Sequence, residues 1–189
     1  MTEKLTTRER VAAQRKARLD AGWVEIRLWA ASAADAEKVK RYGERLRMKT
    51  LEMPLRKIGA ERGMDSKLVE LGLGAIRNQE SDAYNTPSGA TLDLISHVLR
   101  TEDLNGVVGL FAMFSAAYPA NADFVAKRVP AKLLNHYLLA KLDLHGPSRF
   151  QAWSKQHPDW AEQVSEALID GTLEAWTQTA LAQLCRTTP

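Results

Sequence analysis

The sequence predicts a mainly α-helical protein with one short β-strand, residues 23–30, near its start and an all-α C-terminal domain. Three observations carry this. Apolar residues recur at spacings of three and four through most of the 189 residues. The stretch Trp23 to Trp29 alternates instead, with Val24, Ile26 and Leu28 on one face and Trp23, Glu25, Arg27 and Trp29 on the other. Charge is segregated: residues 1–62 hold 16 Lys/Arg against 9 Asp/Glu, a net of +7, and residues 63–189 hold 10 against 14, a net of −4. A basic head on an acidic body points to a polyanion as the partner of the head.

Taken in order, "TTRERVAAQRKARL" at 6–19 predicts a basic helix with a thin apolar stripe, closed by "DAG" before the strand. Ser32 caps the next helix, with Asp35 in the place where a capping box puts an acid. Its apolar stripe is Ala36, Val39, Tyr42, Gly43 and Leu46, with Lys38, Lys40, Arg41, Arg45 and Arg47 outside. Pro54 suits a first turn, so a separate helix is expected from about Met53 to Ala60. Asp65 or Ser66 caps "KLVELGLGAIRNQ", and "NQESDAYNTPSG" at 78–89 reads as a linker.

Five further helical segments follow: "ATLDLISHVLR", "LNGVVGLFAMFSAAY", "PAKLLNHYLLAKL", "SRFQAWSKQHPDWAEQVSEALI" and "GTLEAWTQTALAQLCR". The domains expected are therefore 1–62, a basic module; 63–89, a connecting helix and linker; and 90–189, an all-α domain. The most apolar run, residues 107–118, is short of the roughly 20 residues that span a bilayer, so it predicts a buried helix and no membrane contact. One cysteine, Cys185, and a polar, basic N-terminus suggest a cytoplasmic protein without disulfides. Cys185 reads as a buried or half-buried small apolar residue.

Chemistry is hard to find. His97, His136, His145 and His157 form no metal-ligand spacing, and "ELGLGAIRN" lacks the third glycine and the preceding strand of a dinucleotide loop. No nucleophile elbow, phosphate-loop lysine or carboxylate pair is present, so no enzyme activity, cofactor or metal is expected. Trp153, Trp160 and Trp176 read as core anchors of the C-terminal helices.

A lone strand cannot satisfy its backbone, so residues 23–30 must pair with something. Two copies pairing antiparallel would form a ribbon of the width of the DNA major groove. The segment "RERVAAQRKARLDAGWVEIRLWAASAADAEKVKRYGERLR", residues 8–47, resembles the small bacterial ribbon-helix-helix regulators, especially the MazE-like and CopG-like antitoxins. The match lies in Arg15, Lys16, Arg18 and Leu19, then Ala21-Gly22, then Val24-Glu25-Ile26-Arg27-Leu28-Trp29, and covers about 40 residues.

That resemblance implies a homodimer that binds double-stranded DNA sequence-specifically, as a transcriptional regulator of repressor type. Glu25, Arg27 and Trp29 would read bases, and Val24, Ile26 and Leu28 would form the dimer core. Arg8, Arg10, Arg15, Lys16, Arg18, Lys38 and Arg41 would contact phosphates. The C-terminal domain would supply oligomerisation, a protein partner surface or a ligand site. The alternative is a helical inhibitor, antitoxin or adaptor that acts on a protein partner without binding DNA.

Overall fold

The computed structural model describes residues 6, 8, 11–13, 15–16, 29–78 and 85–186. All regular structure among these is helical. Residues 8, 11–13 and 15–16 are helical, in agreement with the basic N-terminal helix expected there. The remaining elements are α1 (Ala33–Glu61), α2 (Ser66–Ile76), α3 (Pro87–Arg100), α4 (Leu104–Ala117), α5 (Ala122–Ala126), α6 (Val129–Leu133), α7 (Gly146–Gln156), α8 (Trp160–Asp170) and α9 (Leu173–Arg186). A π-helix, Leu134–Leu138, and a 3₁₀ turn, Leu139–Lys141, continue α6. The chain divides into two compact units, Met1–Arg47 and Met48–Pro189.

The ribbon-helix-helix architecture does not hold. No strand occurs among the described residues, and Trp29 and Ala30, the described end of the expected strand, lie in no regular element. The rest of that segment, residues 23–28, lies outside the described residues. Nor do two helices follow it: α1 runs unbroken for 29 residues with Pro54 inside. The physical reason is a balance. Proline in a helix interior costs about 3 kcal/mol, since it removes one hydrogen bond and crowds the preceding turn. Against this, α1 is rich in Ala, Glu, Lys, Arg, Leu and Met, all good helix formers. Leu55 and Gly59 are buried on the C-terminal side of the proline, and Ile58 packs against the core. Burying side chains of the size of leucine and isoleucine contributes about 1.5–3 kcal/mol each, enough to carry the helix through.

Local interactions order the start of α1. Ser32 Oγ accepts from the Asp35 backbone N–H at 3.1 Å and donates to Asp35 Oδ2 at 2.7 Å, so the expected cap and acid close the first turn together. The Ser32 bond, and behind it Lys38, hold the Asp35 carboxyl below its ordinary value. Lys38–Asp35, Arg41–Glu37 and Arg47–Glu44 pair along the helix at spacings of three and four.

The second unit is built around α4. Its sequence, LNGVVGLFAMFSAA, is apolar on every side, and Val107, Leu110, Met113 and Phe114 are buried. A helix apolar all round must be surrounded; α2, α3, α5, α8 and α9 pack on it. Asp65, Thr86 and Asp103 cap α2, α3 and α4 by accepting from the backbone N–H groups of Leu68, Gly89 and Gly106. The Gly-x-Gly of α2 serves packing. A Cβ on Gly72 would lie 2.9 Å from Leu110 Cδ2, so glycine lets α2 and α4 approach closely.

One departure from the expected segmentation has a clear cause. The single run expected over residues 148–169 splits into α7 and α8 at His157-Pro158-Asp159, where Pro158 lacks the helix donor and disfavours helical backbone before it. Residue 171 ends α8 at φ 79°, a left-handed conformation that Gly adopts freely. Cys185 is exposed, not buried. It follows Leu184, which faces inward, and one residue is a rotation of about 100° on a helix of 3.6 residues per turn.

A small satellite core joins α7 to α9. Trp153, Ala180 and Leu184 are buried there with Phe150, Trp160 and Trp176 packed round them. Phe150 meets Trp160 edge-on at 5.1 Å, and Trp153 meets Trp176 edge-on at 6.3 Å. The three C-terminal tryptophans are thus core anchors.

Candidate nucleic-acid interface

In the N-terminal unit the cations face solvent. Arg8, Arg15 and Lys16 are exposed on helical backbone, as are Lys38, Lys40, Arg41 and Arg45 on α1. Lys38, Arg41 and Arg45 stand three and four residues apart and so share one face. Carboxylates of the same helix partly offset two of them: Lys38 Nζ lies 3.1 Å from Asp35 Oδ1, and Arg41 Nε lies 3.5 Å from Glu37 Oε1. Lys40 and Arg45 pair with no carboxylate among the described residues. Arg47, expected outside, is half-buried and bonded to Glu44.

Of the residues assigned to DNA from sequence, the structure therefore places Arg8, Arg15, Lys16, Lys38 and Arg41 at the surface. Trp29 is also fully exposed, at 103% of the reference area, with no described strand to present it to a groove. Arg10, Arg18, Glu25 and Arg27, and the dimer-core residues Val24, Ile26 and Leu28, lie outside the described residues. Lys40 and Arg45 were missed as contacts. For Arg45 the signal was available in the sequence, since no carboxylate stands three or four residues away on either side; Lys40 has Glu37 and Glu44 at such spacings, and only the structure shows it unpaired among the described residues.

An apolar strip runs beside this basic face. Val39, Tyr42 and Leu46 recur at spacings of three and four and remain 44%, 64% and 50% exposed. A stripe with that period normally lies against a core or a partner.

The second unit carries ion pairs of a different kind. Glu52 accepts from Arg56 at 3.0 Å and from Arg77 at 2.5 Å, and Arg56 also bonds Glu70, which ties α1 to α2. The Arg56 hydrogen bond is the main reason that both carboxyls sit below their ordinary range, with Arg77 adding to it at Glu52. On α3 and α6, Lys132 Nζ donates to Ser96 Oγ at 2.7 Å. Nearby, partial burial above all, then Arg100 and Lys132, push the His136 imidazole below its ordinary value.

Two clefts open on this unit. One, of about 630 Å³, lies over Trp153, His157 and Trp176. Both indole N–H groups are already bonded, to Gln183 Oε1 at 2.9 Å and Gln163 Oε1 at 3.2 Å, so this polarity is used in holding the walls. The other, of about 400 Å³, is apolar and lies along α4. Among the described residues no group of His, Cys, Asp and Glu is arranged to hold a metal ion, and no helix is long and apolar enough to cross a membrane.

No family model, no curated protein and no solved structure matches the chain. The resemblance to ribbon-helix-helix antitoxins therefore rests on the motif of residues 8–47 alone.

Proposed function

We propose that the chain is a DNA-associated regulatory protein whose basic N-terminal unit binds the phosphate backbone of double-stranded DNA. The observation that carries this reading is the separation of charge between the units. Residues 1–47 hold 12 Lys/Arg against 7 Asp/Glu, and residues 48–189 hold 14 against 16. The described cations of the first unit are exposed except Arg47, and Lys40 and Arg45 have no carboxylate partner among the described residues. Phosphates would supply the missing anions, with release of condensed counterions as the driving force.

Phosphate contacts position a protein on the duplex and carry no sequence information by themselves. Base reading by a paired ribbon has no described strand to act through. The test is the salt dependence of duplex binding, measured by fluorescence anisotropy on full-length protein. Every phosphate-binding cation that a substitution removes should lower the slope of log K against log salt by about 0.9. A flat salt dependence, or no binding at low salt, overturns the reading.

A second reading is favoured by the strip Val39, Tyr42 and Leu46, which suits an apolar groove on a protein partner. It predicts association that is insensitive to salt and abolished by Tyr42→Glu. Duplex binding that survives Tyr42→Glu and falls steeply with salt separates the first reading from the second.

A further inference from the structure

The apolar cleft of the second unit has features that packing alone leaves unexplained. Its long wall is α4, through Val108, Phe111 and Ala112, and its opposite wall is α8, through Leu168. At about 400 Å³ it falls in the range of small-molecule sites, on the order of 300–1,000 Å³. Two polar groups stand in this apolar setting. Ser115 Oγ is buried without a hydrogen-bond partner. A hydroxyl left so is costly, and a site that keeps one calls for an explanation.

The other is Arg62. Its side chain starts beside α4, where a Cβ on Gly109 would lie 3.4 Å from Arg62 Cβ. It ends at the tip of α8, where a Cβ on Gly171 would lie 2.5 Å from Arg62 Nη1. Position 171 is glycine, so the guanidinium can reach the tip of α8. Arg62 pairs with no carboxylate among the described residues, and the cleft's own acid, Asp123, is bonded to Lys127 at 2.8 Å.

Arg62 Nη1 thus stands at the α8 end of the cleft, and Ser115 lines the same cleft from α4. We propose that this cleft binds a small amphiphilic carboxylate that also carries a hydrogen-bonding oxygen remote from its acid group, a medium-chain hydroxy acid in type. The carboxylate pairs with Arg62, as guanidinium and carboxylate geometry favours. The apolar body lies along Val108, Phe111 and Leu168, and the far oxygen meets the Ser115 hydroxyl. The site is independent of the DNA reading, since every residue in it belongs to the second unit.

The test is isothermal titration calorimetry on the full-length chain with three probes: 8-hydroxyoctanoate, octanoate and 1,8-octanediol. The expected order of affinity is hydroxy acid, then acid, then diol. Arg62→Gln should weaken both acids by roughly tenfold or more and leave the diol unchanged. Ser115→Ala should bring the hydroxy acid down to the level of octanoate. Ala112→Leu, which fills the cleft, should abolish all three, with thermal melting showing that the fold is kept. If that variant does not fold, the half-exposed and exposed positions Ser115 and Arg62 still decide. No heat from any probe at millimolar concentration, or affinities that Arg62→Gln leaves unchanged, would overturn the proposal.

Discussion

The two halves of α1 make the sharpest comparison in the molecule. From Ala33 to Arg47 the helix leaves Val39, Tyr42 and Leu46 exposed and is held by a cap and by ion pairs one turn apart. From Met48 to Glu61 the same helix buries Met48, Leu55 and Gly59. The spacing of apolar residues is alike in both, so periodicity does not say whether a face is covered. In the first half order comes from neighbours in sequence, each worth a few tenths of a kcal/mol. In the second it comes from a core, where single side chains are worth several. The first half consequently leaves its stripe open to a partner, whereas the second puts Met48, Leu55 and Gly59 into the core.

The largest effect that can break this comparison is in the core. Phe114→Ala should destabilise the second unit by about 3–5 kcal/mol, because Phe114 is fully buried on α4. Val39→Ala, a deletion on the exposed stripe, should change stability within about 0.5 kcal/mol. Chemical denaturation followed by circular dichroism measures both. Equal destabilisation would mean that Val39 is covered as deeply as Phe114.

Charge gives the next effect. The double variant Lys40→Glu/Arg45→Glu should lower the salt slope of duplex binding by about 1.8 and weaken binding at low salt by roughly tenfold or more, with the melting temperature unchanged. A double variant of equal charge change in the second unit, Lys67→Glu/Lys155→Glu, should leave the slope alone. An identical drop from both would remove the division of labour between the units.

pH sharpens the comparison further. Glu52 and Glu70 have lowered values in the folded state, so their contribution to stability is complete above the ordinary carboxyl value, 4.5, and is lost as pH falls through the folded values. His136 is also lowered, below 6.5, so the folded state favours its neutral form. Its contribution is complete above pH 6.5 and declines as pH falls below it, before the carboxylates act. Melting temperature measured from about pH 7 to about pH 3 should fall in these two stages. His136→Gln should remove the first stage, and Arg56→Ala should flatten the second. A profile unaltered in both variants would contradict the assignments.

The smallest effect is local. Ser32→Ala removes the cap of α1 and should cost about 1 kcal/mol of helix stability. Amide exchange should quicken in the first turn only, while Leu55 and its neighbours in the second unit keep their protection. Faster exchange throughout would show the two halves of α1 to be coupled.

Much of this was legible in the chain itself. The helices α2, α3, α4 and α9 follow from their periodicity, and α2 also from its cap at Asp65, although α3 begins at Pro87, inside the stretch expected as a linker. The apolar run of α4 declared a buried helix. The basic character of the N-terminal unit is a property of composition. What misled was also local: alternation from Trp23 to Trp29 signals a strand, yet a strand exists only through a partner, and no second strand occurs among the described residues. Pro54 signalled a helix start for an equally local reason.

Sequence by itself thus determined the features whose energy is local: helix positions, caps, charge segregation and the sites where proline or glycine ends an element. Tertiary structure alone decided those whose energy comes from distant residues. It carried α1 through Pro54 because Leu55 and Ile58 had a core to enter, while Val39 and Tyr42, at the same spacing, stay exposed. It also set Arg62 and Ser115 on one cleft, although 53 positions of chain separate them. Burial depends on which surfaces meet, and that is fixed only when the whole chain has packed.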